Sequence, residues 1–91
     1  MYEVKPSNRF KKDVRLASKR GYDISLITKI IKTLAAGEAL LPRNKDHALS
    51  GDWAGFRECH ITPDWLLVYK IEKEILVLTL TRTGTHSDFG W

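Results

Sequence analysis

The side chains able to move protons near neutral pH are few and placed alike. The three histidines, His47, His60 and His86, all fall at loop or strand-end positions, and none lies on an apolar helical stripe. Imidazoles titrate near neutrality, so two of them can serve one reaction as general base and general acid. Asp64 adds a carboxylate, and Arg82 a guanidinium of the kind that neutralises charge building on a phosphorane. The bland alternative is a scatter of surface histidines with no shared task. Zinc binding is a third use, since His47, His60, Asp64 and His86 are chemically adequate ligands. No pair among them has the short spacing usual in zinc sites, and Cys59 should face away from His60 along a strand. The expectation is therefore no metal and no cofactor. The glycines form no phosphate-binding loop either.

These residues need a scaffold, and the hydrophobic pattern supplies one. Glu58 to Lys70 reads as two strands joined at Thr62-Pro63-Asp64, where proline presets a turn and aspartate tolerates the corner. The run from Trp65 to Ile71 is aromatic and β-branched, fit for the inside of a sheet. Phe56 to Ile61, Trp65 to Ile71 and Ile75 to Thr83 form an antiparallel meander, with Glu72-Lys73-Glu74 as its second turn. Upstream, Tyr2 to Lys5 is a short strand ended by Pro6. Ser7 caps a helix over Asn8 to Arg20 that stops at Gly21, with Phe10, Val14 and Ala17 on one stripe. Asp23 or Ser25 caps a second helix to about Ala36, carrying Ile24, Ile27, Ile30, Ile31 and Leu34 at helical spacing. Arg43 to Asp52 reads as a loop. The predicted architecture is α+β, in the order β-α-α-β-β-β: an antiparallel sheet with a two-helix hairpin packed on one face. The other face is left partly open for function.

The chain has 91 residues, enough for one domain spanning 1–91 with a single core and no staples. Cys59 is the sole cysteine, so no disulfide framework exists and a reducing cytoplasm fits. Met1 is followed at once by strand-like Tyr2-Glu3-Val4 rather than a secretory leader, and no apolar run is long enough to cross a bilayer. The expected location is cytoplasmic, with no membrane partner. Fifteen Lys and Arg against eleven Asp and Glu give a net charge of +4, which suits nucleic acid or an acidic protein as partner. Many of those cations, Arg9, Lys11, Lys12, Arg15, Lys19 and Arg20 among them, sit on the first helix, where solvation is their simplest role. Phe89 and Trp91, just beyond His86, could stack on RNA bases or dock the tail. Trp65 and Tyr69 read as packing within the sheet.

Three blocks carry a family resemblance. They are Lys45-Asp46-His47-Ala48-Leu49-Ser50-Gly51-Asp52-Trp53, Pro63-Asp64-Trp65, and Arg82-Thr83-Gly84-Thr85-His86, with Lys12-Asp13-Val14-Arg15-Leu16-Ala17 upstream. Together they closely resemble the YafQ family of bacterial toxins, part of the wider RelE/ParE superfamily, over nearly the whole chain. The resemblance implies the small RelE-like fold and the toxin half of a type II toxin–antitoxin system. It further implies an mRNA interferase, an endoribonuclease that cuts messenger RNA in the A site of the 70S ribosome and is held by a cognate antitoxin. The family's catalytic set carries over onto His47, His60, Asp64, Arg82 and His86. Substrate contacts carry over onto Phe89, Lys45 and Trp65, the last as support beside the aspartate. Any of His47, His60 or Asp64 could activate the RNA 2′-hydroxyl, with His86 protonating the leaving group. Two rival readings are a gyrase-targeting ParE-like toxin, which lacks this histidine set, and a catalytically inactive module that binds RNA or antitoxin.

Overall fold

The computed structural model describes residues 1–90. The chain begins with strand β1 (Glu3–Pro6), then helices α1 (Asn8–Lys19) and α2 (Ile24–Ala35). After a 3-10 turn at Pro42–Asn44 come β2 (His47–Ala48) and a second such turn at Gly51–Trp53. Strands β3 (Arg57–Thr62), β4 (Trp65–Glu72) and β5 (Val77–Gly84) follow, and a single-turn helix α3 (His86–Phe89) closes the described chain. Both long helices start where their caps dictate. The Ser7 hydroxyl accepts from the Phe10 amide at 3.0 Å, and the Asp23 carboxylate accepts from the Ser25 amide at 3.0 Å.

The sheet has five strands in the order β1-β5-β4-β3-β2, and it is mixed. The meander β3-β4-β5 is antiparallel as expected, but β1 runs parallel to β5, with Glu3 opposite Val77 and Pro6 opposite Leu80. The all-antiparallel expectation is thereby corrected. All four β1 residues are exposed, so no alternation marked which strand they would join. β2 is a further addition inside the expected loop, pairing His47 with Glu58 and Ala48 with Arg57. The turn before β5 also runs longer than expected, because Leu76 adopts a left-handed backbone (φ 54°) and delays the strand to Val77.

Helices cover one face. Phe10, Ala17, Ile27 and Leu34 pack against Cys59, Trp65, Leu67, Tyr69, Leu78 and Leu80. Each fully buried aliphatic side chain such as Ile27 or Leu67 contributes roughly 1.5–3 kcal/mol. Strand alternation then directs Glu58, His60, Leu66 and Val68 to the opposite face. Two bulges tune that face. Val68 lies opposite Arg82 but Tyr69 lies opposite Leu80, so Thr81 is an extra residue in β5. Leu80 can then stay in the helix-side core while Arg82, two residues on, shares a register position with Val68. A similar shift between His60 and Thr62 accommodates the tight turn at Pro63-Asp64.

Candidate active site

The site is built in two halves, one on β2–β3 and the other on β5–α3. In the first, His47 sits on the short edge strand and His60 near the end of β3. Nδ1 of His47 donates to the Lys45 carbonyl at 2.7 Å, and Nδ1 of His60 donates to the Pro63 carbonyl at 3.3 Å. A carbonyl oxygen can only accept, so both contacts fix the ring proton on Nδ1 and free Nε2. Both Nε2 atoms turn to one carboxylate oxygen, Oε1 of Glu58, at 3.8 Å for His47 and 3.7 Å for His60. The Glu58 side chain is only 5% exposed, against 17% for His60 and 50% for His47. A buried carboxylate thus lies between two imidazoles, able to pair with whichever ring takes up a proton. Sequence reading missed Glu58. Its signal was its place two residues before His60 in a strand, which puts both on one face.

Other residues hold this half in place. The buried Asn44 donates from its amide to the His60 carbonyl at 2.8 Å, tying the loop to β3. Asp46, beside His47, accepts from the Tyr69 hydroxyl and from Nε of Arg57 at 3.3 Å. Burial, and then the Asp46 carboxylate, raise the Tyr69 phenol above its ordinary range, so it remains a donor. Cys59 faces the helix-side core, away from His60 as alternation required, and burial pushes its thiol up to about 12.

In the second half, Nε and Nη2 of Arg82 donate to the Asp13 carboxylate at 2.7 and 3.3 Å. The Arg82 guanidinium also lies over the Phe89 ring, 5.0 Å from its centroid. His86 is the first residue of α3. That helix opens with a reciprocal cap: the Thr85 hydroxyl accepts from the Asp88 amide, and the Asp88 carboxylate accepts from the Thr85 amide. His86 to Phe89, after β5, therefore form an ordered turn. The two halves meet where the rings of His60 and His86 approach to 6.0 Å between centroids, tilted by 58°.

The structure thus brings together His47, His60 and His86, with Arg82 and Phe89 on the same side through β5 and α3. Asp64 is exposed in the turn after His60 and, among the described residues, makes no hydrogen bond or ion pair. Lys45 is exposed too, in a left-handed conformation (φ 47°) that turns the chain into β2. Trp65 is 2% exposed and packs edge-on against Tyr22 at 5.0 Å, a supporting position under the turn. Trp91 lies outside the described residues.

A family model described as the bacterial toxin of type II toxin–antitoxin systems, YafQ, matches residues 2–90. The chain belongs to the YafQ family. The mRNA interferase toxin YafQ of Escherichia coli strain K12 is 38% identical over 86 residues, covering 93% of this chain and 91% of that protein. YafQ in the Escherichia coli DinJ–YafQ complex has a TM-score of 0.88 at 36% identity, covering 97% of each chain. A metal-bound toxin from Helicobacter pylori has a TM-score of 0.91 at 43% identity, covering 97% of this chain and 98% of that one. Among the described residues of the present YafQ-family chain, no group of three or more His, Cys, Asp or Glu side chains is arranged to hold a metal ion. Nor is any described helix long and apolar enough to cross a membrane.

Proposed function

We propose that this protein is the toxin of a type II toxin–antitoxin pair and an endoribonuclease that cuts mRNA in the ribosomal A site. The observation that carries the reading is the His60–His86 approach at 6.0 Å, with the Arg82 guanidinium over Phe89 on the helix that carries His86. RNA holds its own nucleophile, so the protein has to supply only a base, an acid and charge stabilisation. Nε2 of His60, left open by the Nδ1 contact to Pro63, takes the proton from the 2′-hydroxyl. The 2′-oxygen attacks the adjacent phosphorus, the bond to the 5′-oxygen breaks, and His86 protonates that departing oxygen. The products are a 2′,3′-cyclic phosphate, open to hydrolysis to a 3′-phosphate, and a 5′-hydroxyl. Arg82 faces the non-bridging oxygens as negative charge grows on them. Glu58 stabilises the imidazolium formed at His60, and His47 completes the pair around it. Asp64 offers an acceptor to the RNA sugar from the turn, and Phe89 a ring for a base. Lys45 contributes a cation for a neighbouring phosphate.

The partners in this reading are the 70S ribosome with its mRNA and a cognate antitoxin, by analogy with the DinJ–YafQ assembly. A net charge of +4 suits both an RNA surface and an acidic protein. The deciding experiment expresses the wild-type chain and His86→Ala in cells and maps ribosome-associated mRNA ends alongside growth. New ends and arrest with wild type, both lost with His86→Ala, are the expected outcome. Arrest without new ends would instead point to a gyrase-directed toxin, and no arrest to a binding module. Full activity of His86→Ala would sink the acid assignment.

A further inference from the structure

Helix α1 walls the core on one side and carries a basic outer face that solvation explains. Three residues of the helix and its C-terminal cap do something more specific. Arg9, Asp13 and Arg20 recur at i, i+4 and i+11, so they share one side of the helix and its C-terminal cap. That side meets β5 and α3 across a recess of about 110 Å³ whose walls include Arg9, Asp13, Arg20, Arg82, Gly84 and Asp88. At one end, Asp13 grips Nε and Nη2 of Arg82, and its Oδ2 also accepts from the Thr83 amide at 3.1 Å. The second contact is informative. β1 ends at Pro6, beyond which β5 has no strand neighbour on that edge, and the Asp13 carboxylate stands in for the missing strand. Asp13 is thus anchored by the backbone of β5 itself, and the Arg82 side chain is oriented against a fixed point only 9% exposed. At the other end, Arg20 forks onto Asp88 through Nη1 at 2.9 Å and Nη2 at 3.2 Å. Asp88 is the residue that caps α3 by accepting from Thr85, one position before His86.

We propose that α1 is the positioning element for the β5–α3 half of the site, Asp13 setting the orientation of Arg82 and Arg20 setting that of His86 and Phe89 through Asp88. Asp13 occupies the side-on edge of the guanidinium, so the end-on edge is the one presented to a phosphate. The Phe89 ring, 5.0 Å from the Arg82 guanidinium carbon, joins the two contacts into one assembly. Each acid acts through another residue, Asp13 through Arg82 and Asp88 through the α3 cap, so both are positioning residues. A small misplacement at a reacting centre is costly. The inference rests on the RNA-cleaving reading for its kinetic consequence but not for its geometry.

The test therefore has two arms. In the first, the Arg82 Nε–H resonance is followed by NMR in the intact protein. It should be dispersed and slow to exchange with solvent in the wild type, and should lose both properties in Asp13→Asn. In the second, cleavage of an mRNA on purified ribosomes is measured. Asp13→Asn and Arg20→Gln should each lower kcat about ten- to a hundredfold with little change in KM. Arg20→Lys, which keeps a cation for Asp88 and leaves the α3 cap intact, should retain most of the activity that Arg20→Gln loses, which a general folding defect would not allow. Persistence of the slow Arg82 resonance in Asp13→Asn would overturn the proposal, as would unchanged kcat in a variant whose resonance has collapsed. If the wild-type protein cuts no RNA, the functional reading fails by itself, and the resonance arm still decides whether Asp13 sets Arg82.

Discussion

The hydroxyl of Tyr69, whose side chain is fully buried in the helix-side core, donates to the carboxylate of Asp46, the residue that precedes His47. A core side chain on a central strand thereby holds the loop that delivers a catalytic candidate. Replacing Tyr69 by Phe keeps the ring and removes the bond. A lost hydrogen bond to a charged group predicts a destabilisation of about 1.5–3 kcal/mol, read from urea unfolding midpoints, with His47 less well ordered. The phenol is raised, chiefly by burial and then by Asp46, so its folded value lies above its unfolded one. The bond's contribution is accordingly intact below the ordinary tyrosine range of about 10 and is lost only as pH climbs through the higher folded value. Tyrosinate absorbance should show one of the three tyrosines titrating late.

Glu58 is expected to matter for turnover more than for folding. Glu58→Gln keeps the volume and the hydrogen-bonding shape between His47 and His60 but removes the charge. The expected result is a fall in kcat on the order of tenfold to a hundredfold with a nearly unchanged unfolding midpoint. Full activity in this variant would show that the carboxylate takes no part in proton traffic.

Gly84 is constrained by space. A Cβ placed there would come 2.8 Å from Oδ2 of Asp88 and 3.1 Å from its Cβ. Gly84→Ala should therefore push Asp88 off its cap. Amide exchange at Thr85, which donates to Asp88 at 2.8 Å, should accelerate, while amides of the buried core such as Leu67 and Leu78 keep their protection. Equal protection at Thr85 in the variant would show that the cap survives.

Acid should loosen the same turn only near the bottom of the carboxylate range. The Arg20 guanidinium, together with the Thr85 amide, holds the Asp88 carboxyl down at about 2. Its folded value is below the unfolded value of 3.8, so the contribution is present above that value and disappears as pH falls toward about 2. The pair is partly exposed, so its effect on overall stability is small and weakened by salt. The readout is local: the Thr85 amide resonance should move with Asp88 protonation, at lower pH than an ordinary aspartate.

Much of this was legible because the relevant physics is local. The caps at Ser7 and Asp23 and the apolar stripes place α1 and α2 within a residue or two, and alternation separates Cys59 from His60. What escaped the sequence depended on partners far along the chain. β1 is exposed throughout, so nothing in its four residues announces a parallel partner. Glu58 read as an ordinary strand position because one of its two imidazole neighbours, His47, comes from a separate edge strand eleven positions earlier. The Asp13–Arg82 link spans 69 positions, and no pattern of charge on α1 distinguishes Asp13 from a solvated residue. The reciprocal cap of α3 was within reach, since threonine followed three residues later by an acid is a known helix-start signal.

The parallel pairing of β1 with β5 has a consequence for synthesis. Ser7, just past β1, contacts Thr81 across 74 residues, and α1 grips Arg82 and Asp88 across similar spans. Contacts of such separation form only after β5 and α3 have been made. His86 leaves the translating ribosome after the whole of the His47–Glu58–His60 half. Helix α1 therefore waits for β5, and a chain made only as far as β4 holds the His47–Glu58–His60 half of the candidate site without its β5–α3 half.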